Sequence, residues 1–268
     1  MIPLGLSRID RRANTLHLES FLFFDIEYNH PSAMNYEQAR FNMIEQQIRT
    51  WEVLDNQILS LLAVVKREDF VPLAHRALAF VDMEIPLTAH LHQHPGQCML
   101  APKVEARILQ DLAVQKHEKV LEIGTGSGYM AALLAHRAQQ VITLEIDPDL
   151  AERARENLQK AGIYNAEVRT GDGAANLAQA VSGSDPLNDP LSGPFDVIAL
   201  SGSVAEVPAA LLDLLKVGGR LSAIVGFEPV MRATLITRVA DNAWHTTQAW
   251  DTVAERLLHF REPSTFSF

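Results

Sequence analysis

The sequence predicts an α/β fold in which a doubly wound, mostly parallel sheet ends in an antiparallel hairpin. Three observations support this prediction. From residue 119 onward, short apolar runs alternate with amphipathic helical segments, which is typical of a parallel sheet covered by helices on both faces. A glycine-rich segment, residues 124–128, joins the first of these strands to its helix. Residues 232–239 and 245–253 are strand-like, with only a turn signal between them.

The composition predicts a globular, cytoplasmic protein, and we expect a monomer. The chain has 268 residues, of which 47% are hydrophobic, enough for one substantial core. The 33 acidic and 23 basic residues give a net charge of −10, which disfavours nucleic-acid partners. The single cysteine, Cys98, excludes an intramolecular disulfide and a four-cysteine zinc site. No stretch approaches the ~20 apolar residues that span a bilayer, so we expect no membrane partner.

The N-terminal segment differs from the rest of the chain. Residues 1–33 show no sustained hydrophobic period, whereas Met34 opens a clearly patterned region. Two interpretations remain open: a loosely ordered extension, or an annotation artefact in which Met34 is the true start. We predict a single domain over residues 34–268, with a helical N-terminal cover.

The elements of this domain follow from hydrophobic spacing and capping residues. Apolar residues recur at helical steps over 36–65, with Asp55 as an N-cap, and Pro102 lies near the start of another helix. A Gly/Ser/Pro/Asp-rich surface loop is predicted at 181–194. The remaining predicted strands are 120–123, 141–144, 166–170, 195–200 and 220–225, and the predicted helices are 127–137, 147–162 and 207–215.

The glycine loop is the most informative motif, because it joins a strand to a helix and allows a ligand to approach the backbone. It has the spacing Gly-x-Gly-x-Gly over residues 124–128. A dinucleotide fingerprint would need a third glycine at Tyr129, and a phosphate loop would need Gly-Lys-Ser/Thr. The motif is therefore neither of these.

Two acidic residues follow the next two strands. Glu145 ends the second strand about 20 residues after the glycines, where a carboxylate can accept both hydroxyls of a ribose. Asp172 follows the third strand, where it could accept a hydrogen bond from an exocyclic amine. Parallel strands bring these loops to one carboxyl edge of the sheet, the usual ligand site of such folds.

This set of residues resembles the class I S-adenosylmethionine-dependent methyltransferases. More specific motifs are similar to the protein-L-isoaspartate O-methyltransferase family: Phe70-Val71-Pro72, Ile85-Pro86-Leu87, Gln97 before Pro102, residues 120–128, 168–173, 195–198 and 215–221. The resemblance covers most of the chain from residue 34 to about residue 225. It implies a Rossmann-like fold, S-adenosyl-L-methionine as cofactor, and proteins or peptides with isoaspartyl residues as substrates.

The resemblance also implies site residues. The glycine loop would hold the methionine part of the cofactor, Glu145 the ribose and Asp172 the adenine. The predicted cofactor-binding set is Glu122, Gly124, Thr125, Gly126, Ser127, Gly128, Glu145, Asp172 and Gly173. The predicted substrate-binding set is Gln97, Leu100, Pro102 and Ser201. No catalytic acid or base is predicted, because a carboxylate acceptor is already ionised at neutral pH.

One departure from the family concerns the acceptor site. The family carries a serine two residues before the proline that matches Pro102, and this chain has Leu100 there. A diverged methyltransferase with another acceptor, or a non-catalytic cofactor-binding protein, therefore remains an alternative. The alternating histidines His90, His92 and His94 could suggest a metal site, but an exposed loop is the better interpretation. We therefore expect no metal.

Overall fold

A seven-stranded sheet forms the centre of the fold. The computed structural model describes residues 34–88, 96–175, 191 and 193–262. A small antiparallel pair, Ile85–Pro86 with Cys98–Met99, precedes the main sheet in the chain. In chain order the strands are β1 (Ile85–Pro86), β2 (Cys98–Met99), β3 (Lys119–Ile123), β4 (Gln140–Glu145), β5 (Ala166–Thr170), β6 (Phe195–Val204), β7 (Leu215–Phe227), β8 (Val230–Ala240) and β9 (Ala243–Thr252).

Helices cover the sheet and precede it in the chain. The N-terminal cover contains two α-helices, a π-helical segment and three short 3-10 helices. Its parts are α1 (Tyr36–Met43), Ile44–Ile48, Arg49–Trp51, α2 (Asn56–Val64), Arg67–Asp69 and Leu73–Leu78. The later helices are α3 (Pro102–Leu112), α4 (Tyr129–Arg137), α5 (Pro148–Lys160) and α6 (Ala209–Asp213).

The strand order of the main sheet is β5-β4-β3-β6-β7-β8-β9. The pairs from β5 through β7 are parallel, whereas β7, β8 and β9 pair antiparallel. The predicted parallel sheet with a C-terminal hairpin is therefore confirmed. The order reverses at β3, since β4 lies on one side of it and β6 on the other. Loops after β3 and β6 diverge at such a point and leave a crevice for a ligand.

Both faces of the central strands are buried. Val120 and Val197 belong to the apolar cluster on the side of the N-terminal cover. Their sequence neighbours Leu121 and Ile198 belong to the cluster on the opposite side. Successive side chains of a strand point to opposite faces, so a strand that is covered on both faces is apolar at most of its positions. This explains the continuous apolar runs that predicted these strands.

Some boundaries differ from those predicted. The helical pattern over 36–65 is interrupted by the π-helical and 3-10 segments, and a new helix starts at Asn56 after Asp55, whose carboxylate caps Gln57 N. The predicted helix over 207–215 is only five residues long, because Leu215 already pairs with Phe195 in the sheet. β7 is correspondingly longer than predicted. Tertiary pairing with β6 overrides the local helical pattern here.

Residues 34–268 form one compact unit. Residues 1–33, most of the predicted 181–194 loop and the three alternating histidines lie outside the described residues. No helix among the described residues is long and apolar enough to cross a membrane.

Candidate cofactor and acceptor pocket

A pocket with about 690 Å³ of empty space lies at the carboxyl edge of the parallel strands. Four groups of residues line it. The first lies at and after the ends of β3, β4 and β5, the second precedes α3, the third lies near the end of β6, and the fourth is a C-terminal segment after β9. The lining residues used below are Leu87, Gly96, Gln97, Cys98, Leu100, Gly124, Gly126, Leu144, Glu145, Ile146, Leu150, Gly173, Ser201, Gly202, Glu255, Leu257 and Phe260.

The glycine loop forms the floor of the pocket at the end of β3. Gly124, Gly126 and Gly128 all have φ angles in the left-handed region, at 92°, 54° and 85°. A side chain is strained in this region, so glycine is favoured at each position. A Cβ atom on Gly124 would lie 2.8 Å from Leu257 Cδ2, so the loop also lacks room for a side chain. The backbone is thereby left open to a ligand.

Glu145 lies at the end of β4 with its carboxylate facing this loop. Its Oε2 accepts a hydrogen bond from Gly126 N at 2.7 Å, and its Oε1 accepts one from Asp147 N at 3.1 Å. Burial raises the pKa of the Glu145 carboxyl, and the backbone hydrogen bonds oppose that rise. Each oxygen keeps a lone pair, so the carboxylate can still accept hydrogen bonds from a diol.

Asp172 follows β5 and is fully engaged within the protein. Its Oδ1 accepts a hydrogen bond from Ala174 N at 2.9 Å, and its Oδ2 lies 2.6 Å from Nδ1 of His259. Burial raises the pKa of Asp172, but the His259 and backbone hydrogen bonds outweigh it and leave the pKa lowered. The predicted contact with an adenine amine would have to share or displace these bonds. That role stays a prediction.

Gly173, next to Asp172, lies against the strand that carries the glycine loop. A Cβ atom there would be 2.5 Å from Ile123 Cγ2, closer than any real contact. Glycine is therefore required for β3 and the loop after β5 to approach each other.

Glu122 lies beneath the pocket and is completely buried. Its Oε1 accepts a hydrogen bond from Ser201 Oγ and its Oε2 accepts one from Thr143 Oγ1, both at 2.7 Å. Thr125 Oγ1 lies 2.6 Å from the same Thr143 hydroxyl. Burial raises the pKa of Glu122 to about 8, although the two hydroxyl hydrogen bonds lower it. Glu122 and Ser127 line a smaller inner cavity rather than the main pocket.

The predicted substrate residues, except for Pro102, line the pocket. Gln97 lines the pocket and donates a hydrogen bond from Nε2 to Asp147 Oδ2 at 3.1 Å. Leu100, 4% exposed, lines both the pocket and the inner cavity, as does Ser201. Pro102 is the buried first residue of α3 and is not among the lining residues of either space. Its direct contact with a substrate stays a prediction.

Cys98 lies beside Leu100 and lines the same pocket. Burial and the nearby Glu84 carboxylate raise the pKa of its thiol. A protonated thiol is a poor nucleophile.

The C-terminal segment, residues 253–262, supplies a wall that the sequence did not predict. It pairs with the end of β6 through Ser203 N to Glu255 O at 2.7 Å and Leu257 N to Ser203 O at 2.9 Å. Leu257 then lies over Gly124 and Gly202, and Phe260 also faces the pocket. Ser203, two residues after Ser201, is buried and its hydroxyl accepts a hydrogen bond from Arg256. The only local signal was the apolar Leu257-Leu258 pair after the hairpin.

The chemistry of the lining fits S-adenosylmethionine. The glycine loop is a cradle that Cβ atoms would fill, and Glu145 presents carboxylate oxygens suited to a ribose. Leu144, Ile146 and Leu150 add an apolar surface on the same side of the pocket. No cluster of His, Cys, Asp or Glu among the described residues could hold a metal ion.

Comparisons with known proteins agree with this description. The sequence model of the family described as protein-L-isoaspartate(D-aspartate) O-methyltransferase matches residues 38–253. A protein-L-isoaspartate O-methyltransferase from Methanoculleus marisnigri is 38% identical over 189 residues, which are 70% of this chain and 78% of that protein. One from Syntrophobacter fumaroxidans is 35% identical over 213 residues, or 80% of this chain and 91% of that protein.

A solved structure shares the fold. A Plasmodium falciparum structure described as a protein-L-isoaspartate O-methyltransferase in complex with S-adenosyl-L-homocysteine superposes with a TM-score of 0.64. It is 19% identical and covers 84% of this chain and 99% of its own. The chain thus belongs to the protein-L-isoaspartate(D-aspartate) O-methyltransferase family, as its motifs predicted, and is a methyltransferase that uses S-adenosylmethionine.

Proposed function

We propose that this protein transfers the methyl group of S-adenosylmethionine to the free carboxylate of isoaspartyl residues in protein substrates. The observation that carries the proposal is the pocket itself, in which the glycine loop and Glu145 face an acceptor wall of Gln97, Cys98 and Leu100. The relatives that share the name of this activity match over most of the chain. The predicted cofactor-binding and substrate-binding residues keep those roles in the proposal.

S-adenosylmethionine supplies an activated methyl group on a positively charged sulfur. The protein's own task is to hold two reactants in line and to exclude water, which can remove much of the barrier. The glycine loop and Glu145 hold one side, and Leu257 and Phe260 close the pocket from above. An isoaspartyl carboxylate is ionised at neutral pH, so no general base is required.

Leu100 favours a second candidate, a methyltransferase with a different acceptor. Its buried apolar side chain offers no hydrogen bond where the family's serine would contact the substrate carboxylate. A missing partner for a bound carboxylate costs about 1–3 kcal/mol. A methyl acceptor that does not need this hydrogen bond would bind against Leu100 without that free-energy cost.

The test compares methyl transfer by the parent protein and by Leu100→Ser. An isoaspartyl peptide is the acceptor, and the same peptide with a normal aspartyl residue is the control. We expect transfer to the isoaspartyl peptide only, and faster transfer by Leu100→Ser. If neither protein methylates the peptide while both bind S-adenosylhomocysteine, the isoaspartyl proposal is wrong and the second candidate or a non-catalytic role is favoured.

We also propose that the functional unit is a cytoplasmic monomer comprising residues 34–268. The compact unit that begins at Met34 and the family match from residue 38 support this boundary. The single cysteine is in keeping with a reducing compartment. Deleting residues 1–33 should leave methyl transfer unchanged, and a loss of activity would show that the segment belongs to the site.

A further inference from the structure

Arg67 is a buried cation beside the acceptor wall of the pocket. Its side chain is 0% exposed, although arginine is rarely buried without partners. Its Nη1 forms an ion pair with Glu105 of α3, its Nε donates to the carbonyl of Ala79 at 3.0 Å, and its Nη2 donates to the carbonyl of Leu100 at 2.7 Å. One planar guanidinium therefore joins the N-terminal cover, α3 and the acceptor wall.

The contact with Leu100 is the one that reaches the pocket. The Leu100 side chain lines the main pocket and the inner cavity behind it, which Glu105 and Tyr129 also line. The Arg67 guanidinium lies 5.2 Å from the centre of the Tyr129 ring, so it fills the space directly behind this wall. Arg67 is therefore bonded directly to the backbone of this wall at Leu100.

The guanidinium geometry explains why arginine is needed here. Its nitrogens form a rigid fork that can bond three acceptors in fixed directions, whereas a lysine ammonium is a single point charge on a flexible stem. A lysine at position 67 could keep the charge beside Glu105. Its three N–H donors all radiate from one nitrogen, so we expect it not to reach Glu105 and the carbonyls of Ala79 and Leu100 at the same time.

A second buried ion pair lies next to the first in sequence. Arg40 of α1 pairs with Glu68, and both side chains are buried to a similar degree as those of Arg67 and Glu105. The hydrogen bonds described for Arg40 reach Glu68 alone. Arg40 therefore provides a matched control for the general effect of disturbing a buried arginine.

We propose that Arg67 is a positioning residue for the methyl acceptor: by holding the carbonyl of Leu100 it fixes the wall against which the acceptor carboxylate is placed. The inference rests on the proposed function for the identity of the acceptor. The donor side has its own supports, since Gly124 N and Thr125 N both donate to the Leu144 carbonyl and Gly126 N donates to Glu145. Disturbing Arg67 should therefore affect the acceptor far more than the cofactor.

The experiment compares Arg67→Lys with Arg40→Lys in the full chain. Both variants should lower the melting temperature. Only Arg67→Lys should raise KM for the isoaspartyl peptide, by about tenfold, because displacement of a positioning wall weakens productive binding. The Kd of S-adenosylhomocysteine should change less than about twofold in both. Equal peptide KM values in the two variants, or an unchanged KM in Arg67→Lys, would overturn the proposal.

A second variant and a second measurement keep the test independent of folding and of the proposed function. If Arg67→Lys does not fold, Glu105→Asp retains the charge while drawing Arg67 away from Leu100, and the same KM increase is expected. If the parent protein does not methylate the peptide, the proposed function fails, but hydrogen exchange still tests the positioning. Amides of residues 97–101 should then exchange faster in Arg67→Lys than in Arg40→Lys, and equal exchange would contradict the proposal.

Discussion

The two walls of the pocket are built in different ways. On the cofactor side, the glycine loop, Glu145 and Asp172 each follow a parallel strand directly, so the sheet itself sets their positions. On the acceptor side, Gln97 and Leu100 flank a two-stranded pair, and Leu257 arrives from a segment beyond the hairpin. A buried arginine, and pairing of the C-terminal segment with the end of β6, hold that side in place.

The fold therefore fixes the residue positions on the cofactor side, whereas an individual protein can vary the acceptor side. A side chain at a strand end cannot move without the sheet, which is why ligand sites gather there. A wall built from loops can change its residues at little cost to the core. The replacement of the expected serine by Leu100 lies on the second kind of wall.

The largest effect that we expect is a pH dependence of protein stability caused by Glu122, which lies beneath the cofactor side of the pocket. Burial raises the folded pKa of Glu122 to about 8, and an unfolded glutamate titrates near 4.3. Between these two pKa values the folded state binds one proton more than the unfolded state does. The stabilisation from this protonation is complete below about pH 4 and is lost as the pH rises from there to about 8. Glu105, whose pKa burial raises to about 7 despite Arg67, contributes with the same sign.

Urea unfolding of the parent and of Glu122→Gln between about pH 5 and pH 8.5 checks this prediction. The stability of the parent relative to the variant should fall by about 4 kcal/mol over that window, because a glutamine does not titrate. Glu167→Gln, on the exposed part of β5, is the control and should parallel the parent. Parallel curves for Glu122→Gln and the parent would show that Glu122 is ionised throughout.

The next prediction tests the cofactor side directly. Glu145→Ala removes the acceptor of the Gly126 and Asp147 amides as well as the carboxylate proposed to hold the ribose. The Kd of S-adenosylhomocysteine should rise by about 100-fold, since hydrogen bonds to a charged group contribute about 1.5–3 kcal/mol each. Isothermal titration calorimetry measures it, with Glu167→Ala as the control. An unchanged Kd would show that Glu145 does not bind the cofactor.

A smaller effect is expected from the C-terminal wall. Leu257→Ala removes the side chain that lies against Gly124 and Gly202, and the Kd of S-adenosylhomocysteine should rise about tenfold from lost apolar burial. Val253→Ala, nearby but outside the pocket lining, should leave the Kd unchanged. Equal effects in the two variants would mean that residues 253–262 act only on stability.

The smallest effect concerns His259, which pairs with Asp172 while 64% of its side chain is exposed. Exposed pairs contribute about 0.2–1 kcal/mol, so His259→Ala should change the Kd of S-adenosylhomocysteine no more than about fivefold. We expect tighter binding, because Asp172 Oδ2 becomes available to the adenine amine. Weaker binding would instead show that His259 is part of the cofactor site.

The sequence predicted the strands and loops of the cofactor side because their signals are local, while the binding roles of its residues stay predictions. Strand, glycine turn and strand-end carboxylate lie within a few residues of one another, and parallel pairing then brings them to one edge. The lengths of α6 and β7 were predicted less well, since the ladder with Phe195 decided where the helix ended. Ser203 lies only two residues after Ser201, yet it bonds Arg256 and is not among the residues that line the pocket.

The sequence by itself determined the fold class, the family and the residues that follow each parallel strand. Only the tertiary structure decided that residues 253–262 close the pocket and that Arg67 stands behind Leu100. These contacts join residues 33 and more positions apart and follow no periodicity. The local hydrophobic pattern shows which face of a segment must be buried. Which other segment covers that face is determined only when the whole chain packs.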